Sequence, residues 1–345
     1  MNKRKGKKLN IPEETGKEPE VTDENRPEEI FESQTDTKFE YIAEVLLTTD
    51  LPLPLFIRGK TRDVYELGDH LLIVATDRIS AFDVILPCGI PNKGRVLSQL
   101  SAFWFKKTTY KSPNHFIELI NDTARLDAYL PEKSRFAYSD YLRGRSIVVK
   151  KAKRFPIECI VRGFLAGSAW KEYEECGTVS AIPVMKGLLE SQGTPFPLFT
   201  PTTKAEEGHD LPMTMEEVVK VTGEARAKEI EDLSIAIYEF ACKTAKLPGR
   251  FYIADTKLEF GLDENDELII IDELLTPDSS RFWDMDIYKV GKPQDSFDKQ
   301  PVRDWLEASG WNKEPPAPVL PPEVIEQTAE RYQQVFERLT GTKLE

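Results

Sequence analysis

The sequence contains few cysteines and no long apolar segment. Its four cysteines are scattered, without the C-x-x-C spacing of metal or redox sites: Cys88, Cys159, Cys176 and Cys242. Neither a zinc site nor a disulfide framework is therefore indicated, and reduced thiols are typical of a cytoplasmic protein. No apolar run approaches the length of a membrane span, and the basic start MNKRKGKK lacks the apolar core of a signal peptide. We expect a cytoplasmic protein without membrane association.

The sequence also lacks an excess of basic residues. It has 46 lysines and arginines against 59 aspartates and glutamates, a formal net charge of -13. General binders of nucleic acid carry a basic footprint, so nucleic acid is not expected as a partner. An anionic ligand must then be held by local clusters of cations. The sequence carries no signal for a particular oligomeric state.

The length of 345 residues, 40% of them hydrophobic, suits about two domains with ordinary cores. Residues 1–37 predict a disordered charged tail, because Glu13–Asp36 is acidic, contains prolines and has few large apolar side chains. A short helix-like pattern follows over Phe39–Thr48.

A polar turn between two apolar or alternating runs predicts a β-hairpin. The runs are Thr256–Leu262 and Leu268–Leu274, and the turn is Asp263–Asp266. Side chains alternate between the two faces of a strand. Leu258 and Phe260 are therefore expected to point into a core, and the polar residues between them to point away from it.

The register that we predict for this hairpin places Glu259 opposite Ile270 and Lys257 opposite Asp272. Glu259 then lies diagonally across from Asp272, close enough for both carboxylates to bind one divalent cation. Asp272 follows the apolar run Leu268–Ile271, where a buried carboxylate needs a partner or a metal. Oxygen ligands suit Mg²⁺. The alternative is that these charges form the solvent-facing side of an antiparallel ribbon.

Cations alternate near the first predicted strand. Arg58, Lys60 and Arg62 would share one face of an extended strand, and Gly59 removes a side chain beside them. Aligned cations next to a glycine allow close approach to phosphates. A solvated strand face is the alternative explanation. Downstream, Leu71–Thr76 predicts a buried strand.

Several further segments have clear local patterns. A loop is expected at Asp77–Asp83, and Lys151–Pro156 is placed to link two lobes. Helical stripes and end signals predict three helices, the second entered through a capping box at Thr214–Glu217. The helices are Val96–Lys107, the segment marked by Ile230, Leu233, Ile237 and Phe240 that Pro248-Gly249 ends, and a final helix marked by Ile325, Ala329, Tyr332, Phe336 and Leu339 with Gly341 as its C-cap.

The segments DTKLEFG (Asp255–Gly261) and DELLTPDSSRFWD (Asp272–Asp284) closely resemble the signature of the SAICAR synthetase family. The similarity extends from about Phe56 to Trp311, and Ser296–Trp305 resembles the longer form of that enzyme. The resemblance implies an α+β, two-lobed fold with kinase-like lobes and the nucleotide in the cleft. A β-rich N-terminal lobe would span residues 38–152, and a larger α/β C-terminal lobe residues 153–345.

The resemblance also implies an activity. It is the ATP-dependent joining of L-aspartate to the carboxylate of carboxyaminoimidazole ribonucleotide, in purine biosynthesis, through an acyl phosphate. ATP and Mg²⁺ are the implied cofactors, and the partners are small molecules. The alternatives are a small-molecule kinase on the same lobes and a non-catalytic nucleotide-binding scaffold. Against the kinase, the sequence has neither an HRD-type catalytic loop nor a DFG element.

The resemblance assigns roles to individual residues. The catalytic candidates are Lys257, Asp278 and Asp210. The nucleotide-binding candidates are Lys60, Arg62, Lys153, Arg154, Phe155 and Glu158. The substrate-binding candidates are Ser80, Asp83, Arg162, Ser168, Lys204, His209, Ser280 and Arg281. The metal-binding candidates are Glu259 and Asp272. Plain structural roles stay open for several of them: an exposed strand position for Glu158, local turn bonds for Ser80 and Asp83, and helix capping for the loop after Arg162.

Overall fold

Two antiparallel β-sheets, joined by residues 151–156, form the framework of the protein. The computed structural model describes residues 45–204 and 210–344. Its strands are β1 Leu55–Arg58, β2 Arg62–Leu67, β3 His70–Ala75, β4 Arg78–Ala81, β5 Val84–Gly89, β6 Phe116–Leu119, β7 Ser146–Lys150, β8 Lys153–Arg154, β9 Ile157–Phe164, β10 Thr178–Val179, β11 Ile182–Pro183, β12 Gly193–Phe199, β13 Thr202–Thr203, β14 Phe251–Leu262, β15 Leu268–Ile271 and β16 Ser280–Asp284. Its α-helices are α1 Lys93–Thr108, α2 Ser168–Cys176, α3 Met215–Thr222, α4 Glu224–Lys246, α5 Gln300–Ala308 and α6 Pro322–Thr340.

The first sheet is five-stranded, in the order β1-β2-β3-β7-β6. Alternate residues of β2 are buried, as the period of two in a strand requires for a sheet with one covered face. Tyr65 and Leu67 pack there with Leu72 of β3 and with Leu126, which lies in a short 3-10 segment, Thr123–Tyr129. Further 3-10 turns follow at Glu132–Ser134 and Asp140–Leu142.

The second sheet is seven-stranded and runs through β12-β9-β14-β15, with β8, β13 and β16 paired at its sides. Helix α4 covers one of its faces, where Ile230 and Ile237 pack with Leu258 and Phe260 of β14. Burying one such large side chain stabilises the fold by about 1.5–3 kcal/mol. This packing holds β14, the longest strand, in place and leaves its polar face turned away from α4.

The C-terminal part of the chain connects two regions of the core. Val302 and Leu306 of α5 pack with Ile79 and Leu86 of the β4–β5 hairpin. Farther along, Tyr332 of α6 joins the main core, which also contains α1 and α4 residues. Helix α6 therefore lies against the body of the protein.

The predicted α+β class and the three predicted helices are confirmed. Gly341 is the C-cap of α6, with φ of 73°. The capping box at Thr214 is also confirmed, but it opens the separate helix α3. Gly223, with φ of 83° and ψ of 155°, ends α3 and begins α4, so the long helix that we predicted from this box is two helices.

Three local predictions are wrong. Residues 45–48 are not helical. The predicted strand through Arg58, Lys60 and Arg62 is a tight turn between β1 and β2, closed by a bond of 2.7 Å from the Gly59 N–H to the Arg62 carbonyl. The loop expected at Asp77–Asp83 contains strand β4. The remainder of the Phe39–Thr48 pattern and the tail at residues 1–37 lie outside the described residues, and the lobe boundary at 152/153 stays a prediction.

The hairpin register is shifted by one residue. Leu262 pairs with Leu268, and Glu259 lies opposite Ile271 instead of Ile270. The connecting loop has five residues, because the Asp263 carboxylate accepts the N–H groups of both Asn265 and Glu267. Leu258 and Phe260 face the core as predicted.

Within residues 45–204 and 210–344, no helix is long and apolar enough to cross a membrane.

Candidate active site

Strand β14 carries two acidic side chains, with a positively charged side chain between them, on one side of the second sheet. Asp255, Lys257 and Glu259 occupy alternate positions of β14, so their side chains share a face, opposite to that of Leu258 and Phe260. We call the side with the three charges the charged face. Asp255 and Glu259 are four positions apart, about 13 Å along an extended strand. The charged face is therefore long enough for two phosphate-bearing ligands with a reacting group between them.

The carboxylates of Glu259 and Asp272 meet at one end of the charged face. Burial and the charge of Asp272 raise the pKa of Glu259 to about 7, although Lys204 offsets part of this effect. Burial acts on Asp272 in the same direction, but Arg62 and Lys204 outweigh it and hold its pKa below the usual range. One carboxylate of the pair is thus readily protonated and the other remains charged.

Two cations hold the acid pair. Lys204 forms an ion pair with Glu259. Arg62 approaches Asp272 at 2.9 Å and Glu273 at 3.3 Å. Burial disfavours the charge of Arg62, yet the surrounding carboxylates prevail and raise its pKa. Arg62, predicted to bind nucleotide, therefore lies at the predicted metal ligands.

Asp272 reaches Glu259 despite the shifted register. A slip of one residue moves a side chain to the opposite face of a strand. Strand β15, however, ends at Ile271, and Asp272 has a left-handed φ of 69°. This turn of the backbone redirects its side chain toward Glu259.

Two guanidinium groups meet at the other end of the charged face. Asp255 accepts a bond from Nη1 of Arg162 at 3.3 Å and from Nε of Arg281 at 3.0 Å. Burial alone would raise the pKa of Asp255, but the two arginines outweigh it and lower the pKa. Arg162 lies directly across from Asp255 in the sheet and also donates to the Thr200 hydroxyl at 3.0 Å.

The N-terminus of helix α2 adjoins this arginine pair. Gly167 precedes the helix with φ of 57°, and a Cβ atom there would lie 2.8 Å from Nη1 of Arg281. Ser168 is the first residue of α2. Free backbone N–H groups and the helix dipole favour anions at such an end. The structure therefore brings together three of the residues predicted to bind substrate: Arg162, Arg281 and Ser168.

Lys257, in the middle of the charged face, pairs with Glu158. The Lys257 ammonium lies 2.6 Å from Oε2 of Glu158, and the side chain of Lys257 is 46% exposed. The predicted catalytic lysine and the predicted nucleoside contact are therefore in contact. The predicted placement of Lys257 directly opposite Asp272 is wrong, because the pairing of β14 with β15 ends at Glu259 and Ile271, and the Lys257 N–H donates to the Ser279 carbonyl at 2.8 Å.

The turn at residues 59–61 presents Lys60 to solvent. Lys60 lies 2.6 Å from Asp83, and both side chains are about half exposed. Arg78 holds the turn from beneath, donating to the carbonyls of Gly59 at 2.9 Å and Lys60 at 3.2 Å. Arg78 is itself fixed by the buried carboxylate of Asp63 at 2.7 Å. The position of this turn is therefore fixed by buried groups.

The other predicted residues have the following places. Lys153 and Arg154 form β8, which pairs with β14, and the Phe155 N–H donates to the Phe260 carbonyl at 3.0 Å. Ser80 is buried in β4, and the Ser280 hydroxyl lies 2.8 Å from that of Thr256. Asp210 is exposed. His209 lies outside the described residues.

Asp278 is buried among groups that the sequence did not identify. Lys93 lies 2.6 Å from its Oδ2, and the Tyr332 hydroxyl donates to its Oδ1 at 2.6 Å. Lys299 lies 3.4 Å from Oδ1. Burial would raise the pKa of Asp278, but Lys299 and Lys93 lower it strongly.

Sequence reasoning also missed Asp255 and Arg78 as parts of the site. Asp255 could have been found, because it continues the alternation of Lys257 and Glu259 by one step. The position of Arg78 offers no such local signal, since its partners are carbonyls and a carboxylate from other strands.

The acid pair fits Mg²⁺ better than a metal that needs a complete protein cage. In the part of the chain that the structure describes, no group of three or more His, Cys, Asp or Glu side chains is arranged to hold a metal. Mg²⁺ is commonly bound by one or two carboxylates, with water and phosphate oxygens completing the shell. Glu259 and Asp272 supply two such carboxylates.

A comparison with known protein families identifies the family to which this chain belongs. The family model described as SAICAR synthetase matches residues 55–318. The chain belongs to the SAICAR synthetase family. Phosphoribosylaminoimidazole-succinocarboxamide synthase of Thermodesulfovibrio yellowstonii is 52% identical over 298 residues, which cover 86% of this chain and 99% of that one. The enzyme of the same name from Geotalea uraniireducens is 50% identical over 302 residues, covering 87% and 99%.

Solved structures agree with this membership. SAICAR synthase from Saccharomyces cerevisiae, solved in complex with SAICAR, superposes with a TM-score of 0.78 at 44% identity, covering 86% of this chain and 99% of that chain. As a member of the SAICAR synthetase family, which uses ATP, the protein is a ligase of purine biosynthesis acting on small molecules. The kinase and scaffold alternatives are not supported.

Proposed function

We propose that this ligase joins L-aspartate to the carboxylate of carboxyaminoimidazole ribonucleotide, with conversion of ATP to ADP and phosphate. The observation that carries the proposal is the order of charged groups along β14. An acid pair lies at Glu259, a lysine at Lys257, and an arginine pair at Asp255. Every substrate is anionic, so the main task of the protein is to gather and neutralise negative charge.

The end of the charged face at Glu259 suits the triphosphate of ATP. Glu259 and Asp272 would hold Mg²⁺, which when bound neutralises phosphate oxygens and favours phosphoryl transfer. Arg62, a proposed nucleotide contact, and Lys204, predicted as a substrate contact, already lie at these carboxylates and add positive charge beside the phosphates. Lys60, on its exposed turn, can exchange Asp83 for a phosphate at little energetic cost, because an exposed ion pair contributes at most about 1 kcal/mol.

The nucleoside would lie at the segment that joins the two sheets. Residues 151–156 connect β7 to β9, and their short strand β8 borders β14 near Glu259. Backbone groups at Lys153, Arg154 and Phe155, together with Glu158, are the proposed contacts.

The end of the charged face at Asp255 suits the 5′-phosphate of the ribonucleotide. Arginine binds phosphate through two parallel N–H donors, and a helix N-terminus adds backbone N–H groups. Arg162, Arg281 and Ser168 provide these elements. Ser280 stays a proposed contact, although its buried hydroxyl lies against that of Thr256. Ser80, Asp83 and His209 complete the proposed substrate contacts, and Asp210 stays a proposed catalytic residue.

The reaction proposed for this site has two steps. An oxygen of the ribonucleotide carboxylate attacks the γ-phosphorus of ATP, so that a C–O–P bond forms and the bond to ADP breaks. The aspartate amine then attacks the acyl carbon, phosphate leaves, and the amine gives up a proton. Lys257, which lies between Asp255 and Glu259 on the charged face, would stabilise the carboxylate during the first step. We further propose a cytoplasmic location, supported by four free cysteines.

An ADP-release assay with each substrate omitted in turn tests the proposal. Full ADP release is expected when ATP, the ribonucleotide and aspartate are all present, together with one succinocarboxamide product per ADP. Sustained release without aspartate would indicate a kinase. Absence of ADP release in the complete mixture, with ATP bound, would indicate a binding protein.

A further inference from the structure

The C-terminal segment of the chain reaches the loop that bears the proposed phosphate-binding residues. That loop, Thr276–Arg281, contains Asp278. Tyr332 of α6 donates to Oδ1 of Asp278 at 2.6 Å, and Lys299, the residue before α5, lies 3.4 Å from the same oxygen. Helix α1 supplies the third contact, from Lys93 to Oδ2 at 2.6 Å. One carboxylate therefore ties together α1, the loop and the C-terminal segment.

The surroundings of Asp278 leave it little room to touch a substrate. Its side chain is 5% exposed, and Lys93 is fully buried beneath it. Both carboxylate oxygens already accept contacts from cations or a hydroxyl. A buried lysine and a buried carboxylate are stable together only when each satisfies the other. The geometry thus favours a positioning role for Asp278 over the catalytic role that the sequence predicted.

The far side of the same loop carries the groups proposed to meet the ribonucleotide. The Thr276 carbonyl accepts the Ser280 N–H at 2.8 Å, which makes the loop a single tight unit. The Ser279 carbonyl accepts the Lys257 N–H at 2.8 Å, which joins the loop to β14. Arg281 then extends to Asp255. A shift of Asp278 would therefore move Ser280 and Arg281 relative to the charged face.

We propose that Tyr332 and Lys299 are positioning residues, which set the phosphate-binding loop through Asp278 and so tune affinity for the phosphorylated substrate. The inference rests on the proposed function of Ser280 and Arg281. It gives the C-terminal helices a direct role at the site in addition to their packing in the core. The simpler alternative is that this buried cluster contributes to folding stability alone.

A pair of hydroxyl deletions on α6 separates the two explanations. Tyr332→Phe removes the bond to Asp278. Thr328→Val is the matched control, because Thr328 is also buried on α6, and its hydroxyl donates to the Val324 carbonyl within the helix at 2.6 Å. Both variants lose one buried hydroxyl, but the control has no link to the loop.

We expect Tyr332→Phe to raise the ribonucleotide KM about fivefold to tenfold, since a hydrogen bond to a charged group is lost, while the ATP KM stays within about twofold. Lys299→Gln should shift the same constant in the same direction by a smaller factor. It also serves as the test if Tyr332→Phe does not fold, because Lys299, at 13% exposed, is less deeply buried than Tyr332. Thr328→Val should leave both constants unchanged.

Hydrogen exchange provides a readout that does not depend on turnover. Amides of residues 276–281 should exchange faster in Tyr332→Phe than in the parent, and at the parental rate in Thr328→Val. Equal exchange and equal KM values in the two hydroxyl variants would overturn the proposal. If the parent shows no ligase activity, the proposed function fails, yet the exchange comparison still decides whether Tyr332 sets the loop.

Discussion

Arg281 donates through Nε to Oδ1 of Asp255 at 3.0 Å. Arg281 also donates to the other oxygen, Oδ2, through Nη2, and Arg162 lies 3.3 Å from that same oxygen, so a single acid holds two guanidinium groups side by side. Like charges this close repel each other unless an anion lies between them. Asp255 supplies that anion in the protein, and a ligand phosphate can share the same donors. The pair is thus organised before the substrate arrives.

Arg281→Lys should raise the ribonucleotide KM by at least about tenfold. Lysine keeps the positive charge but loses the planar fork that binds phosphate through two donors. Steady-state kinetics with each substrate varied in turn will measure the change. Arg331→Lys is the matched control, because Arg331 makes a bidentate pair with Asp295 at the protein surface. A raised ATP KM with an unchanged ribonucleotide KM would assign Arg281 to the nucleotide instead.

Lys60→Ala should raise the ATP KM about tenfold without lowering the melting temperature. The pair between Lys60 and Asp83 is about half exposed, so it contributes little to the free energy of unfolding. Lys228→Ala is a suitable control, since Lys228 pairs with Asp232 on the exposed side of α4. Nucleotide titration and thermal unfolding of both variants give the two quantities. An ATP KM equal to that of the parent would exclude Lys60 from the nucleotide site.

Local patterns in the sequence predicted the helices and the faces of the central hairpin. Helices α1, α4 and α6 follow from a period near 3.6, which each segment carries within itself. The alternation along β14 likewise identified Leu258 and Phe260 as core residues. The exact pairing register could not be predicted from the sequence, because the same polar residues fit a loop of four or of five residues. The hydrogen bonds to the Asp263 carboxylate select five.

Contacts between segments far apart in the chain could not be predicted from the sequence. Lys93 and Asp278 are 185 positions apart, and Tyr332 lies another 54 positions along the chain. A lysine in the first turn of a helix ordinarily predicts a solvated side chain, and only tertiary packing buries this one. The cations around Gly59 show a related limit. The same alternation fits an extended strand and a tight turn, and the bond from the Gly59 N–H selects the turn.

Asp272→Asn should lower the turnover rate about a hundredfold or more while the fold survives. The change keeps the size of the side chain but removes the charge that would offset Mg²⁺, a loss of at least about 2.7 kcal/mol of transition-state stabilisation. Asp266→Asn is the control, since Asp266 lies in the exposed loop of the same hairpin. Near-normal turnover in Asp272→Asn, with the Mg²⁺ dependence of the parent, would remove Asp272 from the metal site.

Glu259 should make the stability of the protein without metal depend on pH near neutrality. Burial and Asp272 raise its pKa from 4.5 to about 7, so between these values the folded state binds a proton that the unfolded state does not. This contribution to stability is complete below the lower value and is lost as the pH rises through the upper one. With chelator present, the free energy of unfolding of the parent should therefore fall by about 2–3 kcal/mol relative to Glu259→Gln between about pH 5 and about pH 8.

Urea unfolding across this pH range measures the difference, and Glu264→Gln, an exposed change in the same hairpin loop, is the control. Mg²⁺ adds a second test, because a carboxylate must lose its proton to bind a metal. Mg²⁺ should accordingly raise the melting temperature of the parent more at about pH 8 than at about pH 6, and should have little effect on Glu259→Gln at either pH. Parallel pH profiles for the parent and Glu259→Gln would show that this carboxylate is ionised throughout, held by Lys204, and that the acid pair does not titrate near neutrality.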